Sequence, residues 1–311
     1  MTNQAEKLLS IYREGYLDNY FLGSVYLAKE NKIYKQLGFN DDTICFMRSL
    51  AKPFQASIIC DYDFIKEFKL TQKELAIFMA SHSGSPLHIE VLKNLLKKFK
   101  LKINNLEIEK DYPLDMKGFR GVKTKLHNNC SAKHIMMIAI SNYLGYPIKN
   151  YMDINHPIQK LIYKKQVELT NYKSSIITKD GCGTPLWGLD IKSIINGYFN
   201  FLNNEKYSPL YKSALKHPYI FGGNNRLDSE IIQLSKGKLF SKVGAGGFVI
   251  VYNFELNEIL LIKMIQNNNE YRRLITLDIL NKINWLDYES ENWVYNQKKE
   301  KVAKYYYKFQ L

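Results

Sequence analysis

Apolar residues near both ends of the chain follow the patterns of β-strands. Runs rich in β-branched and aromatic residues cover 20–27 and 32–37. Near the other end, similar runs cover 238–242, 248–254 and 259–264, and a glycine-rich turn separates the first two. These runs predict strands at the two ends of the chain, and Gly15, Gly23 and Gly38 are expected to break the N-terminal ones.

The middle of the chain has the periodicity and the end signals of helices. Ser85 before Pro86 is typical of a helix start, because serine caps the first turn and proline fits within it. The predicted helices run from Ser49 to about Ile59, from Ser85 to about Phe99, over 131–144, from Pro157 to about Leu169, over 229–236 and over 270–284.

Strands at both ends and helices between them predict an α+β fold, in which N- and C-terminal strands share one antiparallel sheet. No repeat or low-complexity linker divides the 311 residues. We therefore expect a single domain over 1–311, with a helical portion at about 70–235.

Composition narrows the classes of function. Lys and Arg total 44 against 30 Asp and Glu, a net charge of +14, but the excess is spread along the chain and no nucleic-acid partner is expected. No apolar stretch reaches the length of about 18 residues that a membrane helix needs, and no secretory signal is visible. Four cysteines form no disulfide framework, so a cytoplasmic protein with reduced thiols is expected.

Ser49 and Lys52 are the first candidates for catalysis. Residues three apart on a helix lie on the same face, so a neutral Lys52 amine could accept the proton of Ser49. Ser81 in a small polar segment and Lys242, two residues before Gly244 on a predicted strand, follow in the chain. This order of serine-lysine helix, serine-led loop and strand lysine is that of serine β-lactamases and penicillin-binding proteins.

Two further segments, 127–134 and 180–185, are dense in polar and reactive side chains. Together with the earlier motifs they resemble the L-asparaginase II family of the Rhizobium-inducible type, whose fold is that of serine β-lactamases and glutaminases. The matching elements are RSLAKPFQ at 48–55, SHSG at 81–84, HNNCSAKH at 127–134, DGCGTP at 180–185, and Gly223 with Arg226.

The resemblance implies hydrolysis of the side-chain amide of L-asparagine to L-aspartate and ammonia. Ser49 with Lys52 would form one serine–lysine pair, and Ser81 with Lys242 a second. Which serine is the nucleophile stays open, although Ser49 is preferred. The residues implied in binding the substrate are Arg48, His134, Asp180 and Gly244.

The resemblance also implies a zinc ion held by Cys130, Lys133 and Cys182, which need not be essential for catalysis, and a homodimer. Lysine binds a metal only as the neutral amine, whereas two thiolates are ordinary zinc ligands. Gly246 departs from the family, which commonly has glutamate there.

Several other functions stay open. They are a glutaminase or broader ω-amidase, a β-lactam-binding or peptide-hydrolysing enzyme, a catalytically weak homologue that binds an amino acid, and a basic protein associated with nucleic acid.

Overall fold

The computed structural model describes residues 4–309. Its strands are β1 (Glu6–Arg13), β2 (Tyr16–Lys29), β3 (Lys32–Leu37), β4 (Ile44–Phe46), β5 (Ile177–Lys179), β6 (Pro185–Asp190), β7 (Leu239–Gly244), β8 (Phe248–Asn253), β9 (Glu258–Met264), β10 (Trp293–Tyr295) and β11 (Lys301–Tyr307). Its α-helices are α1 (Lys52–Ala56), α2 (Phe64–Glu67), α3 (Gln72–Phe78), α4 (Pro86–Lys98), α5 (Ser131–Tyr143), α6 (Pro157–Thr170), α7 (Ile191–Leu202), α8 (Ser208–Lys216), α9 (Pro218–Phe221), α10 (Leu227–Leu234) and α11 (Asn269–Lys282).

The main sheet joins the two ends of the chain. Its strand order is β10-β11-β1-β2-β9-β8-β7, and β3 pairs with β2. All of its neighbours are antiparallel, and β2 meets β9 in a register that runs from Gly23 opposite Met264 to Lys29 opposite Glu258. The prediction of one α+β fold with a shared terminal sheet is confirmed.

Alternate residues of the central strands enter two different cores. Phe240 and Ile250 belong to a cluster shared with the helices between α1 and α9, whereas Leu239 and Val249 pack with α11 and the terminal strands. Because successive strand residues point to opposite faces, the sheet is covered on both sides. Lys242 follows the alternation of Phe240 and therefore faces the helical side.

The predicted helices are present, with boundaries shifted by a few residues. The Ser85 side chain accepts a hydrogen bond from the His88 backbone N–H, so the predicted cap of α4 is confirmed. The segment after Ser49 is less regular than predicted, because 3-10 turns at Arg48–Ala51 and Ser57–Asp61 flank a short α1.

One predicted strand break is wrong, and several elements were not predicted from the sequence. Gly23 does not interrupt β2; it lies within the strand, where a Cβ atom would stand 2.7 Å from the Lys263 carbonyl oxygen of β9. A small second sheet, β4-β6-β5, and helix α7 were not predicted. Within residues 4–309, every helix is too short or too polar to span a lipid bilayer.

Candidate active site

The turn that carries Ser49 is packed against the end of β7. Gly244 makes this contact possible, since a Cβ atom there would lie 2.8 Å from the Met47 carbonyl oxygen and 2.6 Å from Leu50 Cδ1. Ser49 itself is half-buried. Arg48, just before it, has a φ of +52°, a left-handed conformation that is uncommon for a residue with a side chain and is found at functional turns.

The Lys52 amine lies at the meeting point of three chain segments. Its side chain is 1% exposed. Nζ lies 2.8 Å from the Ala80 carbonyl oxygen, 2.9 Å from Ser81 Oγ and 3.2 Å from the Asn129 carbonyl oxygen. Burial lowers the pKa of this amine, because its charged form has lost the hydration of water.

These three contacts fit both protonation states of the amine, since an ammonium would donate to all three oxygens. A neutral Lys52 has two N–H groups and one lone pair. The carbonyl oxygens of Ala80 and Asn129 can only accept, so they take the two N–H groups. In this neutral form, which burial favours, the lone pair is left to accept a hydrogen bond from the Ser81 hydroxyl, 2.9 Å away. The geometry therefore pairs a hydroxyl with an amine able to remove its proton.

Lys242 occupies a second, fully buried position. Its Nζ donates to Asp228 Oδ2 at 2.9 Å, and both side chains are 0% exposed. Burial lowers the pKa of Lys242 to about 8, while Asp228 acts in the opposite direction. Lys242 is thus mainly an ammonium ion at neutral pH.

The lysine contacts differ from the two predicted pairs. The structure places Ser81 on Lys52, whereas Lys242 lies on Asp228. The Lys52 side chain leaves the start of α1 toward the loop after α3, which brings its amine to Ser81. The catalytic roles of these four residues and Ser49 stay predictions.

Cys130, Lys133 and Cys182 come together as the resemblance implied. Lys133 Nζ lies 3.0 Å from Cys182 Sγ and 3.0 Å from Thr184 Oγ1, and Cys130 Sγ lies 3.1 Å from Asn129 Oδ1. Lys133 is 1% exposed and Cys130 5%. Cys130 lies directly before α5, Lys133 lies in the first turn of α5, and Cys182 lies in the turn before β6.

The two thiols have opposite acidities. A hydrogen bond from Cys130 and the charge of Lys133 place the pKa of Cys182 far below its ordinary value, against the effect of burial. The same hydrogen bond and burial raise the pKa of Cys130 well above its ordinary value. Burial acts to lower the pKa of Lys133, but the two cysteines and Asp180 more than offset it and the pKa is raised. Cys182 is therefore a thiolate beside an ammonium.

These residues offer a donor set suited to zinc if Lys133 loses its proton. Two sulfurs and one amine converge, and His134 Nε2 nearby is buried without a hydrogen-bond partner. His134 is 0% exposed, its Nδ1 contacts Tyr151 Oη at 2.8 Å, and burial lowers its pKa to about 4. In the described part of the chain, no three histidine, cysteine or carboxylate side chains are grouped so that they could hold a metal ion.

Arg48 and Asp180 form an ion pair through Arg48 Nε and Asp180 Oδ1. The Arg48 side chain is 37% exposed and that of Asp180 10%, so the pair lies where solvent reaches the site. The sequence predicted both as substrate contacts. The structure brings a positive and a negative group together here, which matches the two charges of an α-amino acid.

Sequence reasoning missed three contributors. Asp228 and Thr184 contact the lysines directly, and Asn129 supplies a carbonyl to Lys52. Asp228 follows the Gly223 to Arg226 element by two residues, which is the signal that could have pointed to it. Gly244, a predicted substrate contact, has a packing role, and its carbonyl oxygen accepts from Arg272 Nη1 at 2.8 Å.

The acidity of Cys182 predicts selective alkylation. In chelator-treated protein at about pH 6.5, iodoacetamide should modify Cys182 at least about tenfold faster than Cys60, because only the thiolate reacts. Cys60 is also half-buried, but burial raises its pKa to about 12. Peptide mass spectrometry measures both rates. A Lys133→Met variant should slow Cys182, and equal rates at the two cysteines in the native chain would contradict the assignment.

Comparison with known proteins places the chain in a family. The sequence model of L-asparaginase II matches residues 9–306. Among solved structures, a β-lactamase from Mycobacterium bovis has 11% identity and a TM-score of 0.41, covering 83% of this chain and 94% of that one. A penicillin binding protein from Bacillus halodurans has 11% identity and a TM-score of 0.38, covering 83% and 96%. No curated protein matches the chain. The family match extends over nearly the whole sequence, and the chain therefore belongs to the L-asparaginase II family.

Proposed function

We propose that this amidohydrolase acts on the side-chain amide of L-asparagine and releases L-aspartate and ammonia. The observation that carries the proposal is the buried Lys52 amine, which lies between two carbonyl oxygens and a serine hydroxyl. Such an amine can serve as a general base near neutral pH, because burial lowers its pKa. Family membership supplies the reaction class.

Ser49 is the proposed nucleophile. It lies at the accessible end of the turn that precedes Lys52, whereas Ser81 is 3% exposed and engaged with the Lys52 amine. Lys52 would exchange its contact with Ser81 for one with Ser49, and would take the Ser49 proton as that hydroxyl attacks the amide carbon. Ser81 and Lys242 would pass a proton to the departing ammonia. Water would then release aspartate from the acyl-enzyme.

Backbone and charged groups would hold the substrate. The backbone N–H of Ser49 and those that follow Gly244 lie at the packed junction of the turn with β7, where an oxyanion could be bound. Loss of one such donor typically raises the barrier by about 2.7–4 kcal/mol. Arg48 would bind the α-carboxylate and Asp180 the α-ammonium, which would replace their present ion pair.

Zinc is a further part of the proposal. Cys130, Lys133 and Cys182 would hold it, with the amine in its neutral form. A bound zinc ion would supply a fixed positive charge beside the pocket. His134, whose Nε2 has no hydrogen-bond partner, would face the same cluster.

Alanine variants of the serines test the mechanism. Ser49→Ala should lower kcat for asparagine by a factor on the order of 10³ or more, because it removes the nucleophile. Ser81→Ala should lower it by about a hundredfold, the typical contribution of one proton-transfer group. Ammonia release from L-asparagine and L-glutamine, measured in parallel, gives both rates and the substrate preference.

Ser83→Ala is the matched control, since Ser83 is a buried serine two residues from Ser81 whose Oγ lies 3.5 Å from His88 Nδ1. It should retain activity within about threefold. If Ser49→Ala retained wild-type turnover, Ser81 would be the candidate nucleophile. Preferred turnover of glutamine would make the protein a glutaminase. Glutamine is one methylene longer than asparagine, a difference that packing discriminates only about 10–200-fold.

Metal content tests the zinc proposal separately from activity. The native chain should retain about one zinc per protomer after dialysis, and Cys182→Ser should lose most of it because a sulfur ligand is removed. Cys60→Ser is the control, and it should keep the metal. Equal zinc content in Cys182→Ser and the native chain would refute the site.

The remaining alternative is a homologue that binds an amino acid without turning it over. Gly246, at the position of the family's usual glutamate, has a φ of +78° with open space around an added Cβ. Glycine at this position removes the carboxylate but disturbs no packing. Binding of asparagine without ammonia release would favour this alternative. Cytoplasmic location and homodimerisation stay predictions.

A further inference from the structure

The Lys242 ammonium needs a counter-ion, because its other neighbours do not neutralise its charge. The face of the Phe221 ring, 4.9 Å from Nζ, adds only a weaker attraction. The positive charge of Arg226 acts on it from the segment before α10, and Lys52 adds to this only when it is protonated during the reaction. An ammonium ion buried without a counter-ion would be strongly disfavoured.

Asp228 supplies the negative charge. It lies in the first turn of α10, where the helix dipole favours a carboxylate. Burial acts to raise its pKa, but the charges of Lys242, Arg226 and Arg272 more than offset this and keep the pKa below its ordinary value. Asp228 is therefore ionised beside Lys242.

The two lysines thus have different surroundings. Lys52 Nζ has three neutral oxygens within hydrogen-bond distance, whereas Lys242 Nζ has a carboxylate at 2.9 Å. A carboxylate acceptor stabilises the ammonium form of a lysine. Neutral oxygen acceptors stabilise the ammonium form much less. Environments that separate two titratable groups in this way assign one as base and the other as acid.

We propose that Asp228 is a positioning residue, which holds Lys242 as the ammonium ion that protonates the departing ammonia. The proposal rests on the amide hydrolysis proposed above. Asp228 does not touch the substrate; it acts through Lys242. Its Oδ1 is buried without a hydrogen-bond partner, so its bond to the lysine is made by Oδ2 alone.

The proton balance closes over one cycle. Ser49 gives its proton to Lys52 as its oxygen bonds to the amide carbon. The C–N bond then breaks, and the nitrogen leaves with the electron pair and takes a proton from Lys242. In the second half, water bonds to the acyl carbon and gives a proton to Lys242, and the Lys52 ammonium returns its proton to Ser49 as the ester C–O bond breaks. Both lysines recover their initial states.

Asp228→Asn tests the proposal through the pH profile of kcat for asparagine. In the native chain, kcat should fall at alkaline pH as Lys242 deprotonates, with its pKa at about 8. In the variant, the alkaline fall in kcat should occur at a pH about one to three units lower, because the carboxylate that favours the lysine ammonium has gone. At pH 8 its kcat should be at least about fivefold lower, with KM changed less than threefold. A loss of kcat with an unmoved alkaline limb would overturn the proposal.

Two variants serve as comparisons. Glu230→Gln, in the same turn of α10, removes a carboxylate that pairs with Arg273 and should leave both kcat and the limb unchanged. Asp228→Glu keeps the charge but moves the carboxylate, so the limb should stay while kcat falls. If Asp228→Asn does not fold, wild-type kcat in Asp228→Glu would overturn the positioning role.

NMR titration of ¹³C-labelled lysines separates this proposal from the proposed function. Lys242 is identified by the signal that Lys242→Met loses. A native chain that releases no ammonia from asparagine would refute the proposed reaction and, with it, the catalytic use of Lys242. The titration would still test whether Asp228 raises the pKa of Lys242. If it does, the pKa of Lys242 should be lower in Asp228→Asn than in the native chain.

Discussion

The contact on which the site depends is the one between the buried Lys52 amine and three chain segments. Its neighbours come from the loop after α3 and from the residue before Cys130, so a single side chain joins α1 to two loops. An amine in this position can be neutral only because water is excluded. The same exclusion strengthens every nearby charge interaction and therefore sets the protonation states of the whole pocket.

Three buried lysines illustrate this dependence. Lys52 contacts neutral oxygens, Lys133 contacts the Cys182 thiolate, and Lys242 contacts the Asp228 carboxylate. Each amine is almost fully buried, yet each has a different partner and hence a different acidity. Serine–lysine chemistry needs such differences, because one residue type must act as both base and acid.

Local signals in the sequence predicted much of the fold. Ser85 and Pro86 determine the start of α4 through their own backbone neighbours, so the cap could be predicted without tertiary information. Gly23 shows the limit, since its position within β2 depends on how closely β9 approaches. A glycine that permits close strand packing has the same local sequence signal as one that ends a strand.

Motifs predicted the members of the candidate site better than their contacts. Cys130, Lys133 and Cys182 were grouped by resemblance, and the structure brings them together. The partners of Lys52 and Lys242 depend on contacts between residues 29 and 14 positions apart, which no spacing rule contains. Asp228 was missed for this reason, because a single aspartate at a helix start is ordinarily only a favourable end charge.

The central claim is covalent catalysis by Ser49 with Lys52 as base. The most direct measurement is acid quenching of the enzyme within milliseconds of mixing with L-asparagine, followed by peptide mass spectrometry. We expect an aspartyl ester on the peptide that contains Ser49, and its absence in Ser49→Ala. An ester on the Ser81 peptide, or ammonia release with no ester on either serine, would contradict the claim.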